Sequence, residues 1–365
     1  MTSLVEMPEH ILDKVIGHSN FKDVLSLRQV CRDFRNFIDN SKDSKLPDSK
    51  FVKIEISCMK DEIISKIEDS DDSSHEIEYS KTKNSRKYQE KKTMFKNSNI
   101  VDVVVRDLEW ILKFQKSTFE EVSFYLDDIE NQNDTSIHTK LNNIINASGR
   151  KIKTTELSIS TGDKSPIIQM LQFADPETLK IIQFFSMDDS IQLELGGIAR
   201  MEQWKKAKEL KCDFRVVNWQ VDDISHFSKI TIAMNSISAR DLDFLRKAFL
   251  TSSKAKRWFF EMRMFNENQE ILRLWGPAFD IENSRQWYFR MKDSEKEEDD
   301  SDDSVGSEDS DDSDDSDYFE EASREVLRIV VFQEDHFEQH YHIRFNTFEL
   351  RAVPDGAIVH NYNGN

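Results

Sequence analysis

LVEMPEHILDKVIGHSNFKDVLSLRQVCRDFRNFI, residues 4–38, decides how the chain is read. Its apolar residues recur at helical spacing, and the stretch is too short to hold a core of its own. Pro8 is tolerated in the first turn of a helix, where its missing N–H would be unpaired anyway, and Ile11, Leu12, Val15 and Ile16 follow on one face. Gly17 is expected to end this helix. Asn20 can cap a second one containing Phe21, Val24, Leu25 and Leu27, and Val30, Phe34 and Ile38 continue at intervals of four. Three short amphipathic helices result. Domains below about 40 residues usually need a metal, a disulfide or a partner, and this stretch offers no metal ligands or cystines, so it is expected to be a docking module.

The same residues resemble an F-box. Met7-Pro8 stands where that family has Leu-Pro, Ile11-Leu12 and Val15-Ile16 fill the first helix, and Val24 to Phe34 (VLSLRQVCRDF) matches the family's LLxLRxVCxxW/F run. Met7 for Leu and Phe34 for Trp both keep a large apolar side chain. The resemblance implies a helix-in-groove contact with a Skp-type adaptor, made or supported by Met7, Pro8, Ile11, Leu12, Ile16, Leu25, Val30 and Phe34. Some of the eight must instead form the module's small core. One sequence does not separate the two sets.

Outward from this module, residues 40–50 are polar and charged, and Phe51 to Ile56 alternates as a half-buried strand. Glu68 to Asn99 has few apolar residues, an acidic half with Asp69, Asp71 and Asp72, and a basic half with Lys81, Lys83, Arg86, Lys87, Lys91, Lys92 and Lys96. It is expected to be a disordered, solvated loop, with a weak attraction to the acidic stretch described below. From Ile100 helical and strand-like pieces alternate. Asp107–Phe114 precedes Glu121–Leu126, residues 141–147 precede Glu156–Ser160, and Pro166–Phe173 precedes Leu179–Phe185. Ile198–Leu210 precedes Phe214–Val217, and Asp241–Leu250 precedes Arg257–Met262. Leu157 to Ile181 spans 24 residues and Ile230 to Phe259 spans 29, near the period of leucine-rich repeats but without their Leu/Asn signature. The fold class expected is α/β: a three-helix F-box followed by a degenerate, leucine-rich-repeat-like α/β domain with a mostly parallel, curved sheet.

This region also resembles the FTH domain, which follows the F-box in a large family of nematode proteins, the F-box A-type family. The resembling stretches are Thr155–Ser160, Phe173–Leu179, Met201–Ala207 and Ile224–Leu245, within a span from about Asn99 to Asp293. The resemblance implies a receptor whose second domain binds a target protein and performs no chemistry. The expected divisions are 4–40 for the F-box, 41–99 for a linker with one strand and a charged loop, 100–292 for the FTH-like domain, 293–317 for an acidic disordered insert, and 318–365 for strands completing the domain.

Charge sharpens this division. Residues 293–317 carry fifteen acidic residues and one lysine, a net of −14 out of −19 for the whole chain, so the rest is only mildly acidic. Strand-like pieces on both sides, Gln286–Met291 and Val326–Phe332, make the acidic stretch an insert rather than a tail. Ser304, Ser307, Ser310, Ser313 and Ser316 repeat every third position among carboxylates, and Ser294 has Glu297 three places downstream. These six serines are candidate sites for an acidophilic kinase.

No apolar run approaches 18 residues, and the start MTSLVEMPEH lacks the charged and apolar regions of a secretory signal, so no membrane partner is expected. Cys31, Cys58 and Cys212 are far apart and odd in number, which fits a reducing compartment, cytosol or nucleus. The sequence contains no CxxC pair, phosphate-binding glycine loop or HExxH, so no cofactor and no catalytic residue are expected. The nearest approach to a metal cluster is His336, His340 and His342 with Asp335 and Glu338, and surface or satisfied histidines explain it better. Nucleic acid is not expected, because the lysine cluster lacks interleaved aromatic side chains beyond Tyr88. The reading that results is a substrate receptor of an SCF-type ubiquitin ligase, linked through the Skp-type adaptor to a cullin and its RING subunit, with the target unnamed. The alternative is a non-catalytic interaction protein whose acidic stretch recruits a basic partner.

Overall fold

The structure is a computed structural model that describes residues 7–71, 73–127, 137–149, 151–188, 190–291, 325–333 and 340–361. The chain opens with helices α1 (Glu9–His18), α2 (Phe21–Val30) and α3 (Arg32–Asn40) and a 3-10 turn at Asp43–Lys45. Strands β1 (Phe51–Cys58), β2 (Glu62–Asp69), β3 (Ser74–Ser80), β4 (Ser85–Tyr88) and β5 (Lys91–Met94) follow. Next come α4 (Ile100–Phe114), β6 (Phe119–Leu126), α5 (Ile137–Ser148), β7 (Thr154–Thr161), α6 (Ser165–Leu171) and β8 (Ile181–Ser186). The chain continues through β9 (Gln192–Glu194), α7 (Leu195–Ile198), α8 (Glu202–Lys206), β10 (Glu209–Val217), α9 (Val221–Ile224), β11 (Lys229–Met234), α10 (Ala239–Thr251) and β12 (Arg257–Met262). It ends with α11 (Asn268–Trp275), β13 (Phe279–Ile281), β14 (Ser284–Arg290), β15 (Glu325–Gln333), β16 (Tyr341–Glu349) and β17 (Val359–His360). Two compact units divide it: residues 1–191 with 201–207, and residues 192–200 with 208–365.

In the first unit β1, β6, β7 and β8 are parallel neighbours in chain order, and β2, β3, β4 and β5 extend the other side of β1 as an antiparallel meander. In the second, β9, β10, β11 and β12 are parallel neighbours, and β16, β15 and β14 continue the sheet antiparallel. Right-handed crossovers between parallel strands that advance in one direction put the helices on one face. Alternate strand residues meet those helices: in the second unit Phe249 of α10 packs against Trp258 and Phe345, with ring centroids 5.1 and 6.1 Å apart. Trp275 of α11 meets Trp287 and Phe289 at 5.4 and 5.8 Å. This is the α/β class with a mostly parallel sheet that the sequence indicates.

Three sequence readings change. Glu68 to Asn99 is not a loop among its described residues but carries the end of β2 and all of β3–β5. Some of its charges are paired: Lys87 with Glu78 across strands at 2.7 Å, and Arg86 with Asp107 on α4 at 2.7 Å, beside the Tyr79 hydroxyl that donates to Asp107 at 2.9 Å. Few apolar residues suffice because cross-strand ion pairs and one anchored tyrosine hold the meander. Ile198–Leu210 is not one helix, because α7 and α8 are each short and β10 begins at Glu209. Gly17 does not end α1, which runs one residue further and is capped at Ser19.

Candidate functional site

The N-terminal helices form as their capping residues dictate. The Asn20 side chain accepts the Asp23 N–H at 2.8 Å, and the Cys31 sulfur accepts from the Phe34 N–H at 3.5 Å, so α2 stops and α3 starts within one residue. The shortfall of core that the length implies is made good within the chain. Ile16, Val24 and Ile38 are buried with Leu46 and Phe114, and Phe21, Leu27, Phe37 and Trp110 pack around them. Phe114 and Trp110 belong to α4. Arg28 lies 4.3 Å from the Trp110 ring centre while its guanidinium makes two bonds to the Asp39 carboxylate, at 2.6 and 2.9 Å. Lys113 donates to the Asp39 carbonyl at 2.8 Å, and burial holds its ammonium pKa below the usual value against the pull of Asp39. Asp48 ties the following segment down by accepting from the backbone N–H groups of Lys116, Lys50 and Ser117. Burial pushes its carboxyl pKa up, but these donors outweigh it and leave the pKa low.

This packing sorts the eight residues singled out in the sequence. Leu12, Ile16 and Phe34 are buried and belong to the core. Met7, Pro8 and Val30 are exposed, and Ile11 and Leu25 half-buried. Val30, 68% exposed, sits at the end of α2 with no core to fill, and Val15, one turn beyond Ile11, is also exposed. An apolar set thus stays in water after the core is complete.

A second candidate is the sheet face turned away from the helices in the second unit. Phe259, Arg344 and Val330 lie side by side on β12, β16 and β15, and the next rung brings Glu261, His342 and Phe332 together. The His342 ring stacks on Phe259 at 5.2 Å and on Phe332 at 5.0 Å. Arg344 lies 5.6 Å from each of the same two rings. Arg328 lies 5.0 Å from the Phe348 ring and donates to Gln286. The corresponding face of the first unit carries Ile181, Tyr125 and Phe185 beside polar groups that bond one another: Gln183 donates to Glu156 at 2.5 Å, Ser123 to Glu121 at 2.6 Å, and Lys53 pairs with Glu121 at 3.5 Å.

Other candidates do not converge. His340 pairs with Glu261 at 3.5 Å and His342 is held in the aromatic stack, while Asp335, His336 and Glu338 lie outside the described residues. Among the described residues no group of three or more potential ligands could hold a metal ion. Ser294, Ser304, Ser307, Ser310, Ser313 and Ser316 also lie outside them. A cleft of about 1010 Å³ in the first unit is lined by Glu109, Lys113, Lys116, Lys151, Lys153 and Asp175 among others. It borders the residues that begin β6 and β7, the end opposite to that used by ligands in parallel sheets.

Two family models match the chain. The F-box domain model matches residues 4–46, so the chain carries a module of the class that typically binds Skp-type adaptors. The FTH domain model matches residues 135–278, and the chain is an F-box protein with a C-terminal FTH domain. Both are interaction domains, not catalytic families. The FTH match is narrower than the Asn99 to Asp293 span of the sequence reading. No curated protein and no solved structure matches the chain. Among the described residues no helix is long and apolar enough to cross a membrane.

Proposed function

We propose that this chain is the substrate-recognition subunit of an SCF-type E3 ubiquitin ligase. The F-box binds the Skp-type adaptor and through it a cullin and RING subunit, and the FTH-containing part holds the target protein, in cytosol or nucleus. The observation that carries the reading is the apolar set on a module matched as an F-box that its own core leaves exposed (Met7, Pro8 and Val30) or half-buried (Ile11 and Leu25). Leu12, Ile16 and Phe34 support that surface from below. The chain contributes proximity and specificity rather than an acid, base or nucleophile.

The test is co-expression of the full chain with a Skp-type adaptor, followed by gel filtration. A one-to-one complex is expected, lost in Ile11→Asp, Leu25→Asp and Val30→Asp chains. Burying a large apolar side chain stabilises by about 1.5 to 3 kcal/mol, so a charge there removes the contact. Unaltered complex in all three variants would overturn the assignment. A second reading rests on the net −14 of residues 293–317: recruitment of a basic protein, seen as salt-sensitive binding that disappears when the stretch is deleted. Phosphorylation of its serines would deepen that charge, and native-source mass spectrometry showing the peptide unmodified at high coverage would remove that idea.

A further inference from the structure

From the second unit's sheet face we propose that the surface around Arg344 docks an acidic, extended segment of a partner protein. This rests on the receptor reading and names the chemistry of its target. Phe259 and Phe332 flank Arg344 at 5.6 Å each and hold the guanidinium plane without neutralising it. Arg344 is exposed, and among the described residues it has no carboxylate partner. Arg257, two residues before Phe259 and so on the same face, is exposed and equally without one. Glu261, the nearest acid by register, is engaged by Arg215 at 3.9 Å and His340 at 3.5 Å. Two unneutralised arginines on successive rungs, with the half-buried rings of Phe259 and Phe332 beside Arg344, fit a strand-like peptide that alternates carboxylates with apolar side chains. A carboxylate meets an arginine fork with two hydrogen bonds, and the apolar residues cover the rings. The planar fork favours this anion over a diffuse counter-ion cloud. The corresponding face of the first unit, with Glu121 and Glu156 already bonded, offers no such pair of arginines.

The experiment uses the purified full chain and a fluorescein-labelled ten-residue peptide in which glutamate alternates with leucine. Anisotropy should report saturable binding. Arg344→Gln and Arg257→Gln should each weaken it at least tenfold, and Arg344→Lys several-fold, because an ammonium cannot form the fork. Equal binding of a lysine-for-glutamate peptide, indifference to both glutamine variants, or tighter binding of a ten-nucleotide thymidine strand at the same surface would overturn the proposal. Binding only after residues 293–317 are deleted would overturn it too, making the chain's own acidic stretch the occupant. Both arginines are exposed, and unchanged melting of the variants confirms that folding is intact. Adaptor capture is measured on the same preparations: captured adaptor without peptide binding rejects this inference alone, and peptide binding without capture rejects the ligase reading alone.

Discussion

Arg28 and Asp48 show how single side chains hold the N-terminal module. Arg28 lies on an F-box motif position, yet here it stacks on Trp110, 82 positions downstream, and bonds Asp39 twice. The motif was legible in the sequence; this role was not, because the ring that gives it meaning lies on α4. Arg28→Lys should therefore cost about 1 kcal/mol in chemical denaturation, since an ammonium offers neither the fork nor the flat stack. Asp48 carries a pH signature. Its folded pKa is depressed, so its contribution is present above the unfolded carboxylate value of about 3.9 and is lost as pH falls through the folded value. Melting of the wild-type chain should drop below about pH 4. An Asp48→Asn chain should be less stable at neutral pH and lose less on acidification, and parallel acid profiles for the two would refute the role.

At the level of elements, the helices and parallel strands were readable because apolar periodicity marks them, whereas the meander was hidden by its charges. β3 reads Ser-His-Glu-Ile-Glu-Tyr-Ser, and only Tyr79 is deeply buried. What makes it a strand is pairing with β2 and β4, plus the Tyr79–Asp107–Arg86 cluster reaching α4, and neither is visible in local composition. Asp107→Ala would leave a buried hydroxyl without its acceptor, at a cost of about 1 to 3 kcal/mol. Hydrogen exchange should quicken in β3–β5 ahead of the parallel strands, and uniform quickening would show that the cluster is not local. The same logic governs the F-box. Its three helices share a core with Phe114, so Phe114→Ala should destabilise by about 3 to 5 kcal/mol and expose residues 9–46 to proteases, although the substitution lies outside the F-box match. The length argument asks for packing from outside the module, and Phe114 and Trp110 of α4 supply part of it within the same chain.

On the scale of the whole molecule, the decisive relation is that β14 and β15 are antiparallel neighbours joined by the longest charged stretch in the chain. The insertion itself could be read from the flanking apolar runs; the pairing of those runs needed the sheet. Neighbouring antiparallel strands need only a short turn, so the pairing of β14 with β15 does not require a connection of this length. Closing a flexible loop costs entropy that rises by about 0.6 kcal/mol for each doubling of length. Replacing residues 292–324 with a six-residue Gly/Ser connection should therefore leave the fold intact and stabilise it by about 1 to 2 kcal/mol. Removal of net negative charge should add to this at low salt, where self-repulsion is least screened. The measurement is thermal unfolding of both chains at low and high ionic strength. A higher melting temperature for the shortened chain, with the gap narrowing as salt is added, is expected. A lower melting temperature at both salts would mean that the acidic stretch makes stabilising contacts, and it would then have to be read as part of the fold rather than as a surface for partners.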